Sequence, residues 1–190
     1  IYEGTVLTGN ITMVADFDIT PVEYTITYMV DGEQYSQYTV AYGAAPVIEA
    51  APVKAGYTFD GWSKIPSVMP AENIVINGTF TINAYTVEFL NYDGTLLQTV
   101  TVNYGGTAEY TAAEPTRAGD AQYTYTFKAW NKALTNITSN TTITAVFDVT
   151  VNTYTVTFVG YNDATLKTEK VAYGASATAP SLSEVTGYNF

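Results

Sequence analysis

Internal repetition constrains this chain more than any other feature. Three segments share one pattern: YTITYMVDGEQYSQYTVAYG from Tyr24, YTVEFLNYDGTLLQTVTVNYG from Tyr85 and YTVTFVGYNDATLKTEKVAYG from Tyr154. Each Tyr-Gly is followed by a Pro- and Ala-rich stretch and then a glycine, at Gly56, Gly119 and Gly187. Next come YTFDGW, ending at Trp62, and YTFKAW, ending at Trp130; the copies close on INGTF to Phe80 and ITAVF to Phe147. A period of roughly sixty to seventy residues is too long for a solenoid rung and suits a small self-contained module. Modules of this size are marginal on their own, so support from their neighbours is expected.

Both ends follow the same pattern. Residues 11–17, ITMVADF, align Met13, Ala15 and Phe17 with Ile143, Ala145 and Phe147, while GYNF to Phe190 reaches only the position of Phe59. The expected division is therefore a closing strand of one repeat (1–20), full repeats over 21–82 and 83–150, and the opening part of another over 151–190. The joining segments ITPVE, TIN and 148–153 are short, which predicts a semi-rigid string.

Within a module, Tyr85, Val87 and Phe89 alternate with Thr86 and Glu88, the period of a strand with one buried face. Asp93-Gly94 supplies a turn, as does Asp31-Gly32, and Asn162-Asp163 stands there in the last copy. The return strand places Val100, Val102 and Tyr104 on one face, and Gly105 ends it. Segments 44–55 and 106–118 show no alternation and read as a crossover with at most one helical turn. Third and fourth strands are predicted around Tyr123–Trp130 and over 141–147. The second repeat carries about five extra residues near Gly119–Tyr123 compared with Gly56–Tyr57, placed in a loop. Seventeen tyrosines among many threonines and valines agree with a mainly β chain. A single sheet needs cover over its inner face, and the crossover is the segment expected to give it.

This series resembles the Listeria–Bacteroides repeat, the family of the internalin-B B-repeat. The best match is Tyr85–Phe147, with Pro115, Arg117 and Gly119 in its middle; Tyr24–Phe80 matches with Pro52, Lys54 and Gly56. The resemblance implies a compact β-grasp-like fold, each module a mixed four-stranded sheet. It also implies a place in large bacterial surface proteins, between a ligand-reading domain and the wall anchor. It brings no catalytic residues.

Composition narrows the chemistry. Eighteen acidic against seven basic residues give a net charge of −11, without acidic runs. Such a surface repels phosphate backbones and argues against nucleic acid or anionic membranes. The chain has neither cysteine nor histidine, which removes thiolate nucleophiles, disulfides, imidazole bases and the usual zinc, haem and iron–sulfur ligands. There is no run of eighteen apolar residues and no signal-like opening segment. Paired carboxylates can hydrolyse glycosides only in a deep cleft, and the acids do not recur as such a pair. No enzyme, metal or cofactor is expected.

Trp62 and Trp130 could stack on sugars, but matching positions beside Phe59 and Phe127 favour a role in the core. Asp93, Asn162 and Asp163 could offer oxygens to calcium, yet turn chemistry accounts for them. The Asn-x-Thr sequences at Asn10, Asn77, Asn136 and Asn140 are what a Thr-rich strand protein contains by chance. The expected role is an extracellular stalk or spacer on a bacterial surface. An adhesive module presenting exposed aromatics to a host protein or glycan is the second reading. A head-to-tail filament, in which the closing strand of one copy completes the opening part of another, is the third; a segment of a longer array is the simpler account of the ends.

Overall fold

The computed structural model of the chain describes residue 6, residues 8–12 and residues 14–182. Among the described residues ten strands follow one another: β1 (Glu23–Val30), β2 (Glu33–Ala41), β3 (Tyr57–Trp62), β4 (Ile74–Ile82), β5 (Ala84–Leu90), β6 (Leu96–Asn103), β7 (Tyr123–Trp130), β8 (Thr141–Val151), β9 (Thr153–Val159) and β10 (Thr165–Ala172). They form two four-stranded sheets, in the orders β2-β1-β4-β3 and β6-β5-β8-β7, and a two-stranded sheet of β9 and β10. The chain divides into two compact units between Thr81 and Ile82. The mixed-sheet, tandem-module architecture is the one expected. The crossovers over 44–55 and 106–118 are irregular and carry no helix, within the expectation of at most one helical turn.

In each four-stranded sheet the first and last strands of the repeat lie side by side and parallel. Ile26 pairs with Ile74 and Val30 with Gly78 in the first unit; Val87 pairs with Thr141 and Leu90 with Thr144 in the second. The first strand also pairs antiparallel with the second, and a bulge falls at the same place in both, after Tyr28 and after Phe89. The two hairpin turns differ. Asp31 and Gly32 both take positive φ (50° and 88°), as a two-residue turn demands. The second hairpin uses a longer loop, closed by Asn91 N–H to Thr95 O at 2.8 Å, with Gly94 alone at positive φ.

Strand alternation sends one set of side chains inward. The first core is Ile26, Tyr28, Val40, Met69 and Ile76. The second is Val87, Phe89, Val102, Ala108, Ile137 and Ile143. Their cover is shared between two connections, where the sequence suggested only one. Met69 and Ile137 come from the irregular segment between the third and fourth strands. Each is tied to the residues after the Tyr-Gly turn: Gly43 N–H to Met69 O at 2.9 Å, and Gly105 N–H to Ile137 O at 2.7 Å. That backbone pairing seats an apolar side chain over the sheet without any helix.

The described residues among 11–17 form no strand, and Val14 and Phe17 are exposed. In the full repeats this segment sits between a first and a third strand, and neither has a counterpart among the described residues before it. Met13, Gly187 and Phe190 lie outside the described residues.

The two cores differ in one polar feature. Tyr28 and Tyr38 both donate their hydroxyls to Val47 O, whereas Phe89 and Val100 occupy the corresponding places in the second repeat. Burial, then the neighbouring Tyr28 hydroxyl, pushes the Tyr38 hydroxyl up to about 12. A raised folded-state pKa stabilises fully below the ordinary tyrosine value, near 10, and is lost as pH rises through about 12. The first repeat should therefore loosen in that window ahead of the second. Fluorescence of Trp62 in a Trp130→Phe background should report it, and Tyr38→Phe should remove the early transition.

Candidate functional site: the junction between repeats

The recurrent tryptophans are packed, not presented. Trp62 meets Tyr28 and Phe59 edge-on at centroid distances of 4.8 and 4.9 Å, and its indole N–H donates to Glu49 O at 2.9 Å. Trp130 meets Phe89 and Tyr110 at 4.8 Å each. Both are half-buried against their cores, and each pins the cover to the sheet.

The middle motif supplies a second pin. Lys54 Nζ lies 4.1 Å from the centre of the Tyr57 ring and 3.2 Å from Asp31 Oδ2. The Phe80 N–H, then the Lys54 ammonium, holds the Asp31 carboxyl below its usual range. In the second repeat the Arg117 guanidinium lies 3.6 Å from the Tyr125 ring centre and 4.6 Å from that of Tyr92. Cation and ring thus meet at the same place in both repeats, Tyr57 matching Tyr125, while the second partner differs, Asp31 in one and Tyr92 in the other.

The proposed calcium oxygens serve turns. Asp93 Oδ1 accepts from Thr95 N–H at 3.0 Å, which lowers its carboxyl pKa. Asp163 sits at φ 59° within a single 3-10 turn over Tyr161–Asp163; the Asn162 side chain lies outside the description. Among the described residues no three acidic side chains gather to share a cation. Asn140 Oδ1 accepts from Thr86 N–H at 2.9 Å, and Asn73 does the same for Thr25 at 2.8 Å, so this asparagine is a recurring strand cap. Asn136 takes φ 57°, Asn77 lies within β4, and Asn10 is exposed.

Two of the three expected linkers, TIN and 148–153, shrink to single residues. Strand β4 runs to Ile82 and β5 begins at Ala84, leaving Asn83; β8 runs to Val151 and β9 begins at Thr153, leaving Asn152. The expected fourth strand ends at Phe147, but Asp148–Val151 continue it by pairing with β7. Asn152 is fully engaged. Its N–H donates to Gln122 O at 2.8 Å, and its Nδ2 to Asp120 O at 2.8 Å and Ala121 O at 3.2 Å. Its Oδ1 accepts from Thr124 Oγ1 at 2.6 Å, and its carbonyl from Tyr173 N–H at 2.8 Å. The Tyr154 hydroxyl, on β9, donates to Ala121 O.

The residues inserted after Gly119 therefore do two things. Tyr123 and Thr124 lengthen the sheet, pairing with Val151 and Thr150. Asp120–Gln122 forms the loop that grips Asn152, held in shape by Asp120 Oδ1, which accepts from the N–H groups of Gln122 and Tyr123 at 2.7 Å each. The insertion was legible in the sequence, but its engagement with the following repeat was not.

The family model of the Listeria-Bacteroides repeat domain matches residues 24–82, 85–152 and 154–190. The chain belongs to this family. Relatives of these repeats include Internalin H of Listeria monocytogenes, 40% identical over 124 residues, which make up 59% of this chain and 21% of that protein. A putative membrane protein of Evansella cellulosilytica is 27% identical over the whole chain and 31% of its own length. These repeats thus span between about a fifth and a third of the curated relatives they match. Among solved structures, Streptococcal High Identity Repeats in Tandem domains 3-4 from a cell surface protein align with a TM-score of 0.32 at 17% identity, over 68% of this chain and 99% of that one.

Proposed function

We propose that the chain is a load-bearing stalk segment of a bacterial surface protein, lying outside the cell and displaying a distal binding domain, with no catalytic role. One observation carries the reading: the parallel pairing of each repeat's first and last strands. In the second repeat, Ala84 at the start of β5 and Val151 at the end of β8 leave opposite ends of the pair. Tension along the chain then slides the two strands past each other, and the whole ladder must fail at once. β8 is also held on its other side by β7, from Tyr123↔Val151 to Trp130↔Ala145. Family membership and the net charge of −11, suited to a long exposed protein, support the same reading.

The test is to pull the chain by its two ends. Each full repeat should yield in a single abrupt step, releasing about 200 Å of contour length at roughly 3.5 Å per residue drawn straight. Smooth extension at low force, with no steps of that length, would contradict the proposal.

A further inference from the structure

We infer that the insertion after Gly119 is a joint lock, which stiffens the connection at Asn152 between the second repeat and the hairpin that follows it. The inference rests on the stalk reading and refines it by saying what stiffens one of its joints. A one-residue connection limits bending only by its own backbone, because a single residue still has two free dihedrals. Here both are held from outside. The Asp120, Ala121 and Gln122 carbonyls accept from the N–H and side-chain amide of Asn152, and the Tyr173 N–H on the following hairpin donates to its carbonyl. Tyr154, two residues beyond the joint, bonds the same loop, so the grip extends into the next repeat's first strand.

Two features mark the loop as built for this place. Gly119 admits no side chain, since a Cβ there would lie 2.8 Å from Tyr123 O. Asp120 caps the loop's own N–H groups, which leaves the Asp120, Ala121 and Gln122 carbonyls free to accept from the joint. In the first repeat Gly56 is followed directly by Tyr57, so there are no residues from which to make such a loop. Nor does the position of Tyr154 select it alone: Tyr24 and Tyr85 stand at the same place in their repeats. The inserted segment is what differs.

Because the chain has no cysteine, spin labels can be placed cleanly on the full chain at Thr99→Cys in β6 and Lys170→Cys in β10, both exposed. The distance distribution between them should be narrow. Asn152→Ala combined with Tyr154→Phe should at least double its width, and Asp120→Ala, which only unpins the loop, should widen it less. A distribution already broad before substitution, or a width unmoved by both variants while the amide protons of β5 and β8 stay protected from exchange, overturns the inference. If the double variant unfolds the second repeat, Asp120→Ala alone decides. A broad joint between mechanically strong repeats would leave the stalk reading standing and remove this one; a narrow joint between weak repeats would do the reverse.

Discussion

Replacing Phe89 by alanine is expected to destabilise the second repeat by about 3–5 kcal/mol, the usual cost of emptying a buried aromatic site. Phe89 is fully buried, stands 4.8 Å from the Trp130 ring and 5.1 Å from that of Tyr110, and pairs with Ile143 across the parallel ladder. Its loss therefore opens the core, frees the tryptophan that pins the cover, and loosens the pair on which tension acts. A module of this size has roughly 3–10 kcal/mol of stability in total, at about 0.05–0.15 kcal/mol per residue. The loss is thus about a third or more of the repeat's whole stability, and the transition of the second repeat should move to much lower temperature or denaturant. The first repeat has a separate core with no shared residue, so its own transition should persist. Trp62 and Trp130 fluorescence in the full chain, read one at a time, checks this. A single transition in which both tryptophans are lost together would show that the repeats are not independent cores.

Much of this architecture can be read from side-chain alternation. Tyr85, Val87 and Phe89 against Thr86 and Glu88 leave one register in which a buried face is continuous, and the strand follows it. Asp31-Gly32 marks its turn because two successive residues there need positive φ. The core tryptophans are likewise legible, since each falls at the end of an alternating strand beside a phenylalanine. What the sequence hides is the cover. Met69 lies with Ile65 and Val68, and Ile137 with Leu134, in short proline- or threonine-containing stretches whose apolar residues follow no helix or strand period. Met69 and Ile137 are placed by long-range backbone hydrogen bonds to Gly43 and Gly105. The one available signal is that an apolar residue recurs between the tryptophan and the closing strand of each repeat.

The junction is hidden for a related reason. Alternation continues through Asp148–Val151, so nothing local separates strand from linker, and the strand ends only where β7 does, at Tyr123↔Val151. Asn152 looks like any turn asparagine in sequence. Its significance comes from Asp120 and Ala121, some thirty residues away, whose carbonyls its side chain reaches. Shape of this kind is set by tertiary contact, and one copy of a repeat does not reveal it. Comparing Gly56–Tyr57 with Gly119–Tyr123 shows that a loop exists, but not what it holds.

The direction in which a repeat is pulled tests the central claim most directly. End-to-end tension loads β5 against β8 in shear. Handles at Ala84→Cys and Asn103→Cys, which are cross-strand partners at the open end of the β5–β6 hairpin, instead peel one antiparallel pair at a time. Both positions are exposed, and the chain has no other cysteine to compete. Comparing the two geometries on the same molecule removes any difference in thermodynamic stability. The load-bearing account predicts that the second repeat withstands severalfold greater force end to end than when peeled. Equal forces in the two geometries would contradict it.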